Sequence, residues 1–125
     1  MASTILYIED NPQNMRLVRK MLQVGGYDML EAPDGMSGVE LAEREKPSLI
    51  LMDINLPDID GMEATRRLKA NPQLQRIPII ALTANAMHGD RERFESAGCD
   101  GYLAKPVTKN ELLNIIAYFL EHCAV

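Results

Sequence analysis

Four short apolar runs punctuate the chain, and each stops on a polar side chain capable of chemistry. Ile5-Leu6-Tyr7-Ile8 runs into Glu9-Asp10, Leu49-Ile50-Leu51-Met52 into Asp53, Ile79-Ile80-Ala81-Leu82 into Thr83, and Tyr102-Leu103-Ala104 into Lys105. Short, continuous apolar runs predict strands buried on both faces of a parallel sheet. A weaker segment, Tyr27 to Glu31, predicts a fifth strand, second in chain order.

Helical spacing fills the intervals. The first helix opens at Asn11-Pro12, a capping residue followed by one suited to the first helical position. It carries Met15, Val18 and Leu22 on one face and stops at Gly25-Gly26. A second helix runs from about Met36 to Arg44, with Val39 and Ala42 inward, and Pro47 ends it. A third turns Met62, Thr65 and Leu68 inward and Arg66, Arg67 and Lys69 outward, and breaks at Asn71-Pro72. The fourth, Asp90 to Glu95, is charged, has a thin apolar stripe of Met87, Phe94 and Ala97, and stops at Gly98. The last starts with a capping box, Thr108 to Glu111, and has a broad apolar face of Leu112, Ile115, Ile116 and Phe119.

Strands alternating with helices imply right-handed crossovers and a parallel sheet covered on both sides. The predicted fold is therefore α/β: a (βα)5, doubly wound, five-stranded parallel sheet of the flavodoxin-like kind, in one domain over residues 1–125. Acids at the first and third strands suit the order 2-1-3-4-5. That order sets those two strands side by side at the topological switch point, where open α/β sheets bind ligands.

Bulk composition removes several classes of function. Thirteen basic against 18 acidic residues give a net charge of -5, which argues against direct nucleic-acid binding. No apolar run approaches membrane-spanning length. Met1-Ala2-Ser3-Thr4 leads straight into a strand, so no signal peptide is expected. Cys99 and Cys123 lack metal-ligand spacing and read as thiols in a reducing cytosol. His88 and His122 have no adjacent nucleophile or metal partner. Glycine forms no phosphate-cradling loop.

What remains is the set of strand-end groups. Singly, each has a plain structural explanation: Asp10 as a helix cap, Glu9 as a solvated strand end, Thr83 as a turn hydroxyl, Lys105 as a surface lysine. Their joint arrival at one sheet edge points to phosphoryl transfer. Glu9, Asp10 and Asp53 crowded together repel one another, and a divalent cation removes that penalty. Oxygen-only ligands at this charge density suit Mg2+. Asp53 is the candidate nucleophile, because an aspartate can form an acyl phosphate. Lys105 and Thr83 would hold the oxygens of the moving phosphoryl group.

These segments resemble the receiver domain of two-component response regulators. The likeness rests on Ile8-Glu9-Asp10-Asn11, Leu51-Met52-Asp53-Ile54, Leu56-Pro57-Asp58-Ile59-Asp60-Gly61-Met62-Glu63, Ile80-Ala81-Leu82-Thr83-Ala84 and Tyr102-Leu103-Ala104-Lys105-Pro106. It implies a CheY-like fold and phosphorylation of Asp53 by a sensor histidine kinase or a histidine phosphotransfer protein. It implies Mg2+ held by Glu9, Asp10, Asp53 and the backbone carbonyl of Asn55. It also implies Thr83 and Tyr102 as switch residues, Lys105 as the phosphate-binding lysine and a cis peptide before Pro106. The chain is most similar to stand-alone receivers of the CheY or DivK kind. Such a receiver is expected to be cytoplasmic and a monomer or weak dimer. It would show its fourth helix, fifth strand and fifth helix to a downstream protein, with no nucleic acid or membrane involved.

Two rivals share parts of this pattern. Haloacid-dehalogenase-type phosphatases also use a strand-end Asp, Mg2+, a hydroxyl and a Lys. They need a second acid two residues after the nucleophile, where this chain has Asn55, and cap segments for which it is too short. A flavodoxin-like redox protein needs a loop rich in Ser, Thr and Gly after the first strand, where acids stand instead.

Overall fold

A computed structural model describes residues 3–54, 56–83 and 90–123. Ten elements alternate: β1 (Thr4–Ile8), α1 (Pro12–Val24), β2 (Asp28–Ala32), α2 (Gly35–Glu45), β3 (Leu49–Asp53), α3 (Gly61–Ala70), β4 (Ile79–Thr83), α4 (Asp90–Ala97), β5 (Gly101–Ala104) and α5 (Lys109–Cys123). The strands form one parallel sheet in the order β2-β1-β3-β4-β5. β1 and β3 are therefore neighbours, with Ile8 opposite Met52.

Alternation of side chains along the strands divides the interior into two cores. Ile5, Leu49, Leu51, Ile80 and Leu82 pack with Met15, Val18 and Leu22 of α1 and Leu112 and Ile116 of α5. Leu6, Ile8, Ile50, Met52, Ile79 and Ala81 face the other side, onto Val39, Ala42, Met62, Leu68 and Ala97 of α2, α3 and α4. Both faces of β3 are covered, which is why its sequence is apolar without a break.

The capping chemistry follows the sequence. The Asn11 side chain accepts from the amides of Gln13 at 2.8 Å and Asn14 at 3.3 Å. At the head of α5, the Thr108 hydroxyl accepts from the Glu111 amide at 3.2 Å and donates to its carboxylate at 2.9 Å. Asp34 and Asp60 cap α2 and α3, each accepting one amide at 2.8 Å.

Two expectations shift. β2 starts at Asp28, because the Tyr27 amide closes α1 by donating to the Leu22 carbonyl at 3.0 Å, while the Asp28 amide opens the sheet ladder on Ser3. Gly26, at φ +81°, makes the reversal that a side chain would strain. Lys69 does not simply point outward. Its ammonium donates to the Gln75 and Ile77 carbonyls and to Asp100 at 2.9–3.1 Å, tying α3 to the turns that lead into β4 and β5. Met87 and His88 lie outside the described residues, as do the side chains of Phe94, His122 and Cys123. Cys99 is a buried free thiol. Among the described residues, no helix is long and apolar enough to cross a membrane.

Candidate functional site

The carboxyl ends of β1 and β3 bring the acids together. Glu9 follows β1 directly, and its amide extends the sheet ladder to the Ala32 carbonyl at 3.0 Å. Asp53 is the last residue of β3, in register with Leu82. Glu9 and Asp53 are buried, at 2% and 3% exposure, and Asp10 is exposed. One carboxylate oxygen from each of the three lies within 4.8 Å of the others.

Lys105 enters this cluster from the end of β5. Its amide donates to the Thr83 carbonyl at 2.8 Å, which continues the β4–β5 pairing, and the Lys105–Pro106 peptide is cis. Its ammonium sits 2.9 Å from Glu9 Oε1 and 3.1 Å from Asp53 Oδ1, bridging the two buried acids.

The crowding separates the two carboxyls electrostatically. Burial pushes Asp53 up, and its neighbour Glu9 adds to this against the pull of Lys105. Asp53 rises from an ordinary 3.8 to about 6. Burial also pushes Glu9 up, but hydrogen bonds from Asp53, Lys105 and Tyr7 outweigh it and hold Glu9 down at about 2. Burial would lower Lys105, yet Glu9 and Asp53 more than reverse this and keep it an ammonium. Glu9 is thus the stronger acid, and Asp53 is the group that takes up a proton first as the pH falls.

This donor set fits Mg2+. All three side chains offer oxygen, and two buried acids beside one exposed acid leave a side of the cluster open to water and phosphate oxygens. A cavity of about 290 Å³ lined by Glu9, Asp10, Pro12, Glu31 and Ala32 opens beside it. Asn55, the expected source of a backbone carbonyl, lies outside the described residues.

Thr83 and Tyr102 belong to the other side of the sheet. Ala81 is in register with Tyr102, so alternation puts Thr83, two residues on, on the same face as the tyrosine. Thr83 is buried, and Tyr102 packs half-buried against the α2–α3–α4 core. A cavity of about 220 Å³ between Glu95, Tyr102, Ile115 and Phe119 adjoins the ring.

Three residues at this edge were not singled out by the sequence reading. The Tyr7 hydroxyl donates to Glu9 Oε1 at 2.8 Å. Its place two residues before an acid was a readable signal, since alternate strand residues share a face. The Asp58 carboxylate accepts the Gly35 and Met36 amides, both at 2.8 Å, and so fastens the loop after β3 to the start of α2. Desolvation pushes Asp58 up, and backbone hydrogen bonds from Met36, Gly35, Ile59 and Asp58 itself together more than reverse it. No spacing rule links positions 23 apart in sequence.

Gly61 is the third. A Cβ there would stand 2.5 Å from the Asp53 carbonyl oxygen and 2.8 Å from Ile54 Cα, both rigid backbone. Gly61→Ala should therefore cost roughly 1–3 kcal/mol of stability, as overpacking does. It should also displace the strand end that carries Asp53. Chemical denaturation checks the first effect. Loss of phosphoryl uptake in the fraction that remains folded checks the second.

Comparison with known proteins follows this geometry. The family model described as "Response regulator receiver domain" matches residues 5–117. The polar-differentiation response regulator DivK of Brucella anthropi is 39% identical over 120 residues, covering 96% of this chain and 98% of that protein. The receiver domain of sensor histidine kinase PA1611 from Pseudomonas aeruginosa PAO1 superposes with a TM-score of 0.91 at 44% identity. The match covers 97% of this chain and 99% of that one, which was solved with a magnesium ion coordinated in its active-site cleft. Chemotaxis protein CheY4 of Vibrio cholerae has a TM-score of 0.89 over 94% of this chain and 98% of its own, and its 24% identity speaks for the fold alone.

Proposed function

Because the chain belongs to the response regulator receiver family, we propose that it is a phosphorylation-dependent switch of a two-component or phosphorelay pathway. It accepts a phosphoryl group on Asp53 from a sensor histidine kinase or histidine phosphotransfer protein, and it signals by altering the surface offered to a downstream protein. One observation carries this reading: a lysine ammonium bridges two buried carboxylates at the ends of adjacent strands.

In the transfer, an Asp53 carboxylate oxygen attacks phosphorus. The O–P bond forms, the P–N bond of the phosphohistidine breaks, and the imidazole nitrogen keeps the electron pair and takes a proton. Lys105, already 3.1 Å from Asp53 Oδ1, holds an oxygen of the moving group. Glu9 anchors Lys105 from its other side. A Mg2+ ion held by Glu9, Asp10, Asp53 and the Asn55 carbonyl would supply neutralisation of the phosphoryl oxygens. The magnesium bound by the Pseudomonas receiver supports that assignment. The chain thus promotes its own phosphorylation and dephosphorylation and turns over no separate substrate. We place it in the cytoplasm, working as a monomer or weak dimer.

The test is stoichiometry. Acetyl phosphate with Mg2+ should leave about one acid-labile phosphoryl group per chain. Sustained hydrolysis of a generic phosphate ester would overturn the switch in favour of a phosphatase.

The output runs through Thr83 and Tyr102. A phosphoryl group on Asp53 draws the Thr83 hydroxyl toward it, and the Tyr102 ring takes up the space released on their shared face. This changes the surface of α4, β5 and α5, where Tyr118 is 54% exposed. The bias is bounded by the contacts of one phosphoryl group. Thr83→Ala should still accept phosphate, but the phosphorylation-dependent change in amide exchange over residues 101–123 should fall by more than half. An undiminished change would remove Thr83 and Tyr102 from the mechanism.

A further inference from the structure

Glu9 is held from below by a residue of the core. Tyr7 is 1% exposed, its ring packed in the α1–α5 core, and its hydroxyl donates to Glu9 Oε1 at 2.8 Å. The same oxygen accepts from the Lys105 ammonium at 2.9 Å. Glu9 Oε2 accepts the Asn11 amide at 3.4 Å, and Asp53 also shares a hydrogen bond with this carboxylate. Oε1 of this carboxylate is thus committed to two protein donors, the Tyr7 hydroxyl and the Lys105 ammonium.

We propose that Tyr7 is a positioning residue for the metal. Its hydroxyl fixes the rotation of the Glu9 carboxylate, so that Oε1 faces the protein and Oε2 is presented to a divalent cation, and Tyr7 and Glu9 work as a pair. This rests on the receiver reading above and deepens it. The length of Glu9 is what makes the pair possible. An aspartate at this position would carry its carboxylate one methylene, about 1.5 Å, nearer the backbone, and a 2.8 Å bond stretched by that amount is no longer a hydrogen bond. A buried phenol needs an acceptor for its proton. Here the acceptor is a carboxylate of the site, so the chain Tyr7–Glu9–Lys105–Asp53 links the core to the nucleophile. Groups that orient a metal ligand from behind typically change metal affinity 10- to 100-fold when removed.

Tyr7→Phe keeps the ring and its packing and removes only the hydroxyl. Calorimetric titration with MgCl2 should show affinity weaker by about tenfold or more. Acetyl phosphate labelling at saturating Mg2+ should stay within about twofold of wild type, because the defect lies in metal positioning. In a Glu9→Asp background, which already lacks the contact, Tyr7→Phe should weaken Mg2+ binding no further. Thermal melting of each variant without metal separates packing from positioning. A lower melting temperature with Mg2+ affinity within twofold of wild type would overturn the proposal. So would equal effects of Tyr7→Phe in the Glu9 and Glu9→Asp backgrounds. Failure of the wild type to bind Mg2+ would instead overturn the metal assignment beneath it.

Discussion

Asp53→Asn should abolish acid-labile phosphate uptake while making the metal-free protein more stable at pH 7.5. Both effects come from one carboxylate. It is the proposed nucleophile, and among the described residues no second acid at the ends of β1 and β3 is placed to replace it: Glu9 is held by Tyr7 and Lys105, and Asp10 is exposed. The stability gain follows from the raised pKa. In the folded, metal-free chain Asp53 titrates at about 6, against 3.8 ordinarily, so the folded state binds the proton more tightly than the unfolded state. The stability linked to Asp53 is therefore fully present below about pH 4 and is lost as pH rises through 6. Two units correspond to about 3 kcal/mol at most. The introduced amide imitates the neutral acid, because it can accept from Lys105 and donate to Glu9. The variant should gain roughly 2–3 kcal/mol over wild type at pH 7.5, on the order of 5–10 °C in melting temperature, and the difference should vanish near pH 4. Melting curves at the two pH values, without Mg2+, check this. A variant less stable at pH 7.5 would show that the Lys105–Asp53 contact outweighs the repulsion. Full labelling of the variant would place the acceptor elsewhere.

The second large effect is that of the metal. Saturating Mg2+ should raise wild-type stability by roughly 1–3 kcal/mol, because an ion held by the proposed ligands would bind the folded cluster and not the unfolded chain. Asp10→Ala should remove most of that response. Asp10 is exposed, so its repulsion on the buried pair is screened by water. The metal-free variant should accordingly be as stable as wild type or slightly more so. The melting shift in 10 mM MgCl2, measured for both proteins, decides the point. An undiminished shift in Asp10→Ala would count against Asp10 as a ligand.

Much of this protein is legible along the chain. Each buried strand is an apolar run because both its faces meet helices, and each run ends in the group it carries to the sheet edge. The order β2-β1-β3-β4-β5 follows from crossover handedness and from acids on the first and third strands, which must meet at a switch point. Helix starts are equally local: Asn11 and Thr108 cap through atoms two or three residues away, within reach of a sequence pattern. Ala97 packs inward as the thin stripe of α4 requires.

Tertiary structure decided what depends on distance through space. Lys105 reads as a surface lysine until the pairing of β5 with β4 sets its ammonium between Glu9 and Asp53. Which carboxyl is the stronger acid is invisible in sequence, since Glu9 and Asp53 are nearly equal acids in water. Glu9 becomes the anion because it receives hydrogen bonds from Asp53, Lys105 and Tyr7, and Asp53 then titrates against that negative charge. The start of β2 moved by one residue because the Tyr27 amide found a partner in α1 instead of in the sheet. Asp58 reached the head of α2 because two loops that are neighbours at the sheet edge are far apart along the chain. The sequence by itself determined which groups this edge would carry. The three-dimensional packing of β1, β3 and β5 determined how those groups share protons, because charge interactions fall off with distance in space and take no account of separation along the chain.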